Sequence, residues 1–321
     1  MGFFKKLIVT TGTAAVAANV YAYYWAQPKY HTMPEYSGPV TTSHNGIRHV
    51  APGSPVVAPE NNPGVRLYDD FISPKEREQL LKELQPIKKK YGISLIQAQH
   101  AAIYRWQMSF LRNPPQVNMT RITGRHEDEK QVVPPWRYGD EFREDQLPPN
   151  IKKIADRIRA IPGLNLGKLR DVTINYRHSH FFRLDPHLDP SLDGENICIV
   201  GVDSDTVLTL CPLNYWNLTQ AIDMIKGLLT MEDERLHVRK QSKQSWTDQD
   251  VDVLVRKGGM VIMSADARWT WTHGTRLGVE VDGRSGLHDW FGEESNVVLR
   301  NPERHSVVFA FDKPENAESN V

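Results

Sequence analysis

The stretch VTINYRHSHFFRLDPHLDPSLDGENICIVGVDSDTVLTLC, residues 172–211, contains the pattern that decides the fold. Apolar or alternating runs at 172–177, 196–202 and 206–211 are separated by turn-forming Pro, Asp, Ser and Gly residues. Short runs with this spacing are typical of β-strands. Four more such runs follow towards the C-terminus, at 259–264, 269–273, 296–299 and 305–311. The C-terminal half is therefore predicted to form a strand-rich core.

Two helices are predicted upstream of these strands. Ser73 is a favourable N-cap, and Pro74 is a favourable first helical residue. Apolar residues then recur at helical spacing, at Leu80, Leu81 and Leu84. A second helix is predicted from Pro149 to about Ile161 by the same criterion. Helices followed by many short strands indicate an α+β domain with a β-sandwich or jelly-roll core.

Residues 214–256 interrupt the series of strands. The segment is polar and charged, and its apolar residues recur at the spacing of a helix. It predicts a helical insertion between two core strands. Insertions of this length often carry function, and an insertion without a role is an equal alternative here.

The composition excludes several classes of protein. The chain has 321 residues, enough for one large domain or two small ones. Lys plus Arg and Asp plus Glu are equal at 39 each, whereas a dedicated nucleic-acid binder usually has a basic excess. A mean hydropathy of −0.50 excludes a polytopic membrane protein. Cys198 and Cys211 lie in apolar runs, so we expect buried thiols rather than a disulfide framework.

The N-terminal segment differs from the rest of the chain. Residues 1–27 contain Lys5 and Lys6 followed by an uncharged stretch to Ala26, which favours a membrane anchor. A cleaved targeting peptide and a terminal helix packed on the domain are the alternatives. Residues 28–64 are rich in proline and predict an extended linker, so the folded domain is expected at 65–321. We therefore expect a membrane-anchored or organellar protein, with the mitochondrion as one candidate organelle.

His187 and Asp189 form an H-x-D pattern at the end of a predicted strand. Alternate residues of a strand point the same way, so an imidazole and a carboxylate can face one ion. Pro186 and Pro190 frame the pair and stiffen the turn. A second H-x-D pattern begins at His126, but it lies in a charged run with no flanking strand and is expected to be a solvated loop.

A third ligand is available in the run GGMVIMSADARWTWTHGTR, residues 258–276. His273 lies at the end of an aromatic strand there, just before Gly274. Two histidines and one carboxylate on one face, with the remaining positions open, are the ligand set of non-haem Fe(II) oxygenases. The sequence therefore predicts an iron site at His187, Asp189 and His273.

These motifs together resemble the AlkB family of Fe(II)/2-oxoglutarate dioxygenases. The resemblance is carried by LDPHLDP at 184–190, the run at 258–274, and RHSVVFAF at 304–311. Weaker echoes lie upstream, in LYDDFISPKEREQLL, RITGR, WRYGD, LPPNIKKIADRI and TINY. The order and approximate spacing agree over residues 65–311.

The resemblance implies a double-stranded β-helix (jelly-roll) core with flanking N-terminal helices and a helical insertion. It implies that His187, Asp189 and His273 are the metal ligands and catalytic centre, with Fe(II), 2-oxoglutarate and O₂ as cofactor and co-substrates. Arg304 matches the arginine that binds the distal carboxylate of 2-oxoglutarate, and a guanidinium pairs bidentately with a carboxylate. Asn175 and Tyr176 match the strand that also contacts the co-substrate. Strand register decides whether Tyr176 or Arg177 faces inwards.

The sequence departs from the family pattern at two positions. Ala310 stands six residues after Arg304, where the family usually has a second arginine, and Arg276 is a candidate to compensate. Ser191 stands two residues after Asp189, where nucleic-acid members often have a base-reading acid. The second departure favours substrates other than alkylated bases.

The expected reaction is oxidation of a C–H bond, with oxidative demethylation as the leading hypothesis. The substrate is expected to be a methylated protein, a nucleic acid or a small molecule, with a membrane tether through residues 1–27. One alternative is a catalytically degenerate binding or scaffold protein with the same fold. Another is an amino-acid side-chain hydroxylase that uses the same iron site.

Overall fold

The computed structural model describes most of the domain, and the structural statements below refer to those residues. The described ranges are 32–33, 46–50, 56–92, 120–125, 133–161, 163–164, 166–177, 184–212, 249–276, 278–301 and 303–314. The N-terminal segment 1–27 and most of the predicted insertion lie outside them. No helix among the described residues is long and apolar enough to cross a membrane.

Strands dominate the described structure. In chain order they are β1 (Thr32–Met33), β2 (Ile47–His49), β3 (Val65–Tyr68), β4 (Thr120–Ile122), β5 (Leu169–Arg177), β6 (Leu184–His187), β7 (Asn196–Gly201), β8 (Thr206–Pro212), β9 (Val251–Val255), β10 (Met260–Met263), β11 (Trp271–Thr275), β12 (Val279–Val281), β13 (Leu287–Phe291), β14 (Glu293–Leu299) and β15 (Arg304–Phe311). The α-helices are α1 (Pro74–Tyr91), α2 (Pro149–Arg159) and α3 (Ala265–Trp269). Short 3₁₀ turns occur at Pro59–Asn61, Gly139–Glu141, Glu144–Gln146 and Ser191–Asp193.

Two antiparallel sheets form the core. The six-stranded sheet has the order β3-β10-β7-β15-β5-β4, and the five-stranded sheet has the order β2-β9-β8-β11-β6. One buried cluster takes residues from both sheets, so the two sheets face each other. Its members include Ile197, Leu208, Leu210, Val253, Val261 and Ala310. Antiparallel sheets with few helices fit the predicted jelly-roll-like core.

The two long helices cover the outer face of the six-stranded sheet. Helix α1 begins after Ser73, whose hydroxyl accepts from the Glu76 amide while the Glu76 carboxylate accepts from the Ser73 amide. This capping box confirms the predicted helix start. Leu80 and Leu84 of α1 pack with Ile151 and Ile154 of α2 onto the sheet. Helix α2 confirms the second predicted helix and ends at Arg159.

A small third sheet lies outside the five-stranded sheet. It has the order β1-β12-β13-β14. Phe291 and Val298 of this sheet share a buried cluster with Val207 of β8 and Leu254 of β9. The inner core of the molecule is therefore covered on one side by helices and on the other by strands.

Three sequence expectations need adjustment. Strand β9, at Val251–Val255, lies inside the segment that the sequence predicted as a helical insertion. All five of its residues are buried, so it is a core strand. Strands β1, at Thr32–Met33, and β2, at Ile47–His49, lie within the predicted linker, and β2 pairs with β9. The strand predicted at 269–273 instead begins at Trp271, because α3 occupies Ala265–Trp269.

A candidate metal centre

Strand register brings the two predicted histidine ligands together. His273 of β11 lies directly opposite His187 of β6, and on its other side it lies opposite Leu210 of β8. Directly opposite residues of an antiparallel pair point to the same face of the sheet. Leu210 belongs to the core between the two sheets, so both imidazoles face that interior. Their ring centroids are 4.4 Å apart.

Asp189 completes the cluster from the turn that follows β6. Its Oδ2 lies 3.5 Å from Nε2 of His273, and its Oδ1 lies 3.7 Å from Nε2 of His187. One potential ligand atom from each of the three residues lies within 4.8 Å of the others. All three predicted ligands are thus assembled around one point, and the donor set is the one that non-haem iron prefers.

The environment holds these groups in the protonation states that a metal requires. Burial lowers the pKa of His273 to about 4, so its imidazole is neutral at neutral pH. Burial alone would raise the pKa of Asp189, but His273, His187, Arg121 and Arg268 outweigh it and hold that pKa below its usual value. A neutral imidazole and an ionised carboxylate are the forms that bind metal.

Arg304 faces the same interior from the opposite sheet. Arg304, Ser306, Val308 and Ala310 are every second residue of β15 and therefore share one face of the strand. Val308 and Ala310 pack into the core between the sheets, so Arg304 faces that core. Arg177 of β5 lies directly opposite Arg304, and Asn175 lies directly opposite Ser306. Asn175 therefore lies on the interior face, as the sequence predicted.

The two opposed arginines form a buried positive cluster. Arg177 and Arg304 are both buried, and the Nε atom of each has no hydrogen-bond partner among the residues that the structure describes. Burial lowers the pKa of Arg304 to about 10 and, with the nearby Arg300, lowers that of Arg177 to about 9. The two acids whose charges act on both arginines have other partners, because Asp289 is bonded to Arg300 and Asp203 is bonded to His305. Buried guanidinium groups left in this state favour the binding of an anion.

Tyr176 lies on the opposite face of β5. Its ring stacks on His305 with the centroids 4.7 Å apart, and its hydroxyl donates to Glu303. The ammonium group of Lys88 lies 3.3 Å from the centre of the same ring. The register thus places Arg177, and not Tyr176, beside Arg304. A contact between Tyr176 and the co-substrate would require a change of face.

Arg276 does not supply the second arginine that Ala310 leaves missing from this interior. Ala310 faces the core and lies directly opposite Asp171. Arg276 is buried on the far side of the five-stranded sheet, where it binds Asp252 and the Trp290 carbonyl oxygen. The prediction that Arg276 compensates for Ala310 is therefore wrong, because one-residue alternation directs it to the other layer.

Sequence reasoning missed two cations near the predicted metal ligands, Arg121 and Arg268. Arg121 of β4 lies directly opposite Asn175, which places it on the same interior face. Its charge acts on both Asp189 and His273. The RITGR motif contained this residue, but only the pairing of β4 with β5 shows which way it points.

The two cysteines and His305 lie outside the cluster of His187, Asp189 and His273. Cys198 and Cys211 are buried as free thiols, which confirms the prediction, and burial raises the pKa of each. His305 faces away from Arg304 and binds Asp203, as expected for a residue outside the metal site. The aromatic and histidine residues at 178–182 and His126 lie outside the described residues.

Comparisons with known proteins add one similarity. No family model matches the chain. No curated protein matches it either. A solved structure similar to this chain is a prolyl hydroxylase from Trichoplax adhaerens, in complex with a hypoxia inducible factor oxygen degradation domain peptide fragment. The identity is 9%, the TM-score is 0.38, and the match covers 79% of this chain and 85% of that chain.

Proposed function

We propose that this chain is an AlkB-like Fe(II)- and 2-oxoglutarate-dependent dioxygenase. The observation that carries the proposal is the meeting of His187, Asp189 and His273 on an interior face that Arg304 also lines. When bound, Fe(II) with 2-oxoglutarate and O₂ supplies the oxidising chemistry that breaks a substrate C–H bond.

The three ligands suit that ion. Two imidazoles and one carboxylate leave the remaining coordination positions for co-substrates. His273 is neutral and Asp189 is ionised at neutral pH, so neither ligand must lose a proton to bind the metal. The apolar interior around Leu210 and Trp271 excludes water from the face that the ligands share.

Arg304 and Arg177 suit the co-substrate. A dicarboxylate has one end to place at the metal and another to place against a cation. The guanidinium of Arg304 is buried, and its Nε has no hydrogen-bond partner within the described part of the chain. A guanidinium can form bidentate pairs with a carboxylate. Asn175 and Arg177, on the same face, add further donors. The sequence left open whether Tyr176 or Arg177 faces the co-substrate. In this proposal Arg177 does so.

The rim of the site supports a protein substrate. Leu188, Leu192 and Trp269 are large apolar residues near the metal ligands, and they are 37%, 60% and 37% exposed. Two arginines near Leu192 are engaged by acids, since Arg125 binds Asp193 and Arg170 binds Asp140. Arg268 is buried and donates to backbone carbonyl oxygens. Nucleic-acid binding depends on cations that contact phosphates, whereas apolar residues favour protein contacts. We therefore propose oxidation of an N-methyl group on a protein, with formaldehyde as the second product.

The proposal is tested by co-substrate binding to the full chain loaded with Fe(II) under anaerobic conditions. The measurement is the weak visible absorption band of the iron–2-oxoglutarate chelate. We expect the band in the wild type, a marked loss in Arg304→Met, and no loss in Arg66→Met. Arg66 is a suitable control because it is an exposed arginine, and the hydrogen bond found for it in the described ranges goes to the Gly163 carbonyl oxygen.

A second measurement follows turnover. We expect succinate formation in the wild type and none in His187→Ala, because the metal loses one of three ligands. Full succinate formation by His187→Ala would overturn the metal assignment. Iron binding without the chelate band would overturn the use of 2-oxoglutarate. Formaldehyde release from methylated peptides would distinguish demethylation from the hydroxylase alternative, which gives a stable hydroxylated product.

A further inference from the structure

Arg268 makes an unusual set of contacts beside the metal ligands. It lies in the short helix α3 and is 2% exposed. Its Nε donates to the Gly194 carbonyl oxygen at 2.8 Å, Nη1 to that of Asp189 at 3.1 Å, and Nη2 to that of Pro190 at 2.6 Å. One guanidinium therefore binds three backbone carbonyls of the turn that carries Asp189.

These contacts differ from those of three other arginines in the described structure, which are buried or partly buried. Arg125, Arg276 and Arg300 each bind a carboxylate, whereas the hydrogen bonds found for Arg268 within the described chain go to carbonyl oxygens. Burying a charged group costs free energy unless its hydrogen bonds are satisfied. Satisfying a buried charge with three carbonyls of one turn holds that turn in a single shape. The ring of Trp269 stacks on the guanidinium at 4.1 Å and covers it.

The position of Arg268 in the chain connects both halves of the metal centre. Helix α3 leads directly into β11, which carries His273 five residues after Arg268. The carbonyls that Arg268 binds belong to the segment 189–194, which carries Asp189. A side chain next to one ligand thus determines where the backbone of another ligand lies.

The same turn is held from its other side. It contains a 3₁₀ turn at Ser191–Asp193 and ends at Gly194 with a φ of 85°, a conformation that favours glycine. The Asp193 carboxylate accepts from Arg125 at 2.5 Å and from the Tyr138 hydroxyl at 2.8 Å. Side-chain and backbone contacts together leave the turn little freedom.

We propose that Arg268 is a positioning residue that preorganises the Asp189 turn for metal binding. The proposal rests on the metal centre of the proposed function and adds a residue that does not touch the metal. Groups that orient metal ligands raise affinity because the site is formed before the ion arrives. Arg268 would act through the backbone of Asp189 rather than through its carboxylate.

The test uses the full chain and Co(II), whose visible absorption reports on its ligands. Wild type, Arg268→Lys, Arg268→Met and the control Arg66→Met are titrated with Co(II). We expect Arg268→Met to bind about tenfold to a hundredfold more weakly, which is the usual loss when an orienting group is removed. Arg268→Lys should fall between, because an ammonium is a point charge that cannot span three carbonyls.

Hydrogen exchange of the metal-free proteins provides the local readout. We expect faster exchange in residues 188–195 of Arg268→Met and unchanged exchange in the six-stranded sheet. If Arg268→Met fails to fold, the same comparison is made with Arg268→Lys. Wild-type affinity and wild-type exchange in a folded variant would overturn the role of Arg268. Absence of Co(II) binding by the wild type would instead overturn the metal centre itself.

Discussion

At the scale of single residues, the buried carboxyl group of Asp171 is an unusual feature of the β-sheet core. Asp171 is 2% exposed and lies directly opposite Ala310. It hydrogen-bonds to Thr173 and shares the Arg125 guanidinium with Asp193. Asp171 and Asp193 therefore share the single positive charge of Arg125 in a region with little access to water. Burial, opposed only in part by Arg125, raises the pKa of Asp171 to about 6.

This raised pKa predicts a specific dependence of stability on pH. The folded protein holds the Asp171 proton more tightly than the unfolded chain, so the associated stability is full below pH 4 and is lost as the pH rises through about 6. Relative to Asp171→Asn, the wild type should lose about 3 kcal/mol of unfolding free energy across that window.

Urea denaturation of both proteins between pH 4 and pH 7 measures this difference. Asp145→Asn is the control, because the Asp145 side chain is 66% exposed and should show no such trend. A stability difference between the two proteins that stays constant from pH 4 to pH 7 would contradict the assignment.

At the scale of secondary-structure elements, the start of α1 does more than cap a helix. Glu76 completes the capping box with Ser73, and its carboxylate also binds Arg157 of α2. Lys153 of α2 lies 3.4 Å from the same carboxylate. One acid therefore sets both the first turn of α1 and its alignment with α2, which together cover the six-stranded sheet.

Removing the cap should destabilise the protein moderately. We expect Ser73→Ala to lower the free energy of unfolding by about 1 kcal/mol, because the Glu76 amide loses its acceptor. Ser73→Thr keeps a hydroxyl at the N-cap and should lie close to the wild type. Urea denaturation gives both values, and equal losses in the two variants would show that the hydroxyl is not the cause.

At the scale of the whole molecule, a buried ion pair joins two layers. Asp252 lies in β9 of the five-stranded sheet, and Arg276 lies just after β11. Arg276 binds Asp252, stacks on Trp290 and donates to the Trp290 carbonyl oxygen, and the Gly292 amide donates to Asp252. These contacts attach the small sheet to the core sheet at its far side from the metal centre.

Breaking this pair from one side should be costly. We expect Arg276→Met to lose about 3–5 kcal/mol of unfolding free energy, because it leaves Asp252 charged in a buried place. Adding Asp252→Asn should recover part of that loss, since the amide oxygen still accepts from Gly292 and the charge is gone. A double variant no more stable than Arg276→Met would show that the loss comes from packing rather than from the stranded charge.

The parts that could be predicted from sequence are those with local causes. Ser73, Pro74 and Glu76 specify a helix start within four residues, and α1 begins there. Runs such as NICIVGV specify strands by their own length and composition. The strand β9 was missed, because its run lies at the end of a polar segment whose spacing is helical. The strand predicted to begin at Trp269 begins at Trp271 instead. The tryptophan and threonine residues at 269–271 are compatible with either a helix end or a strand.

The sequence by itself singled out the three proposed ligands, His187, Asp189 and His273, because H-x-D at a strand end and a histidine before glycine are local patterns. The tertiary structure decided everything that depends on register. The pairing of β15 with β5 placed Arg177 beside Arg304 and turned Tyr176 outwards. The pairing of β4 with β5 brought Arg121 inside, and the alternation after β11 sent Arg276 to the outer layer. The physical reason is that a shift of one residue reverses the face of every side chain in a strand, and only partner strands distant in sequence set that register.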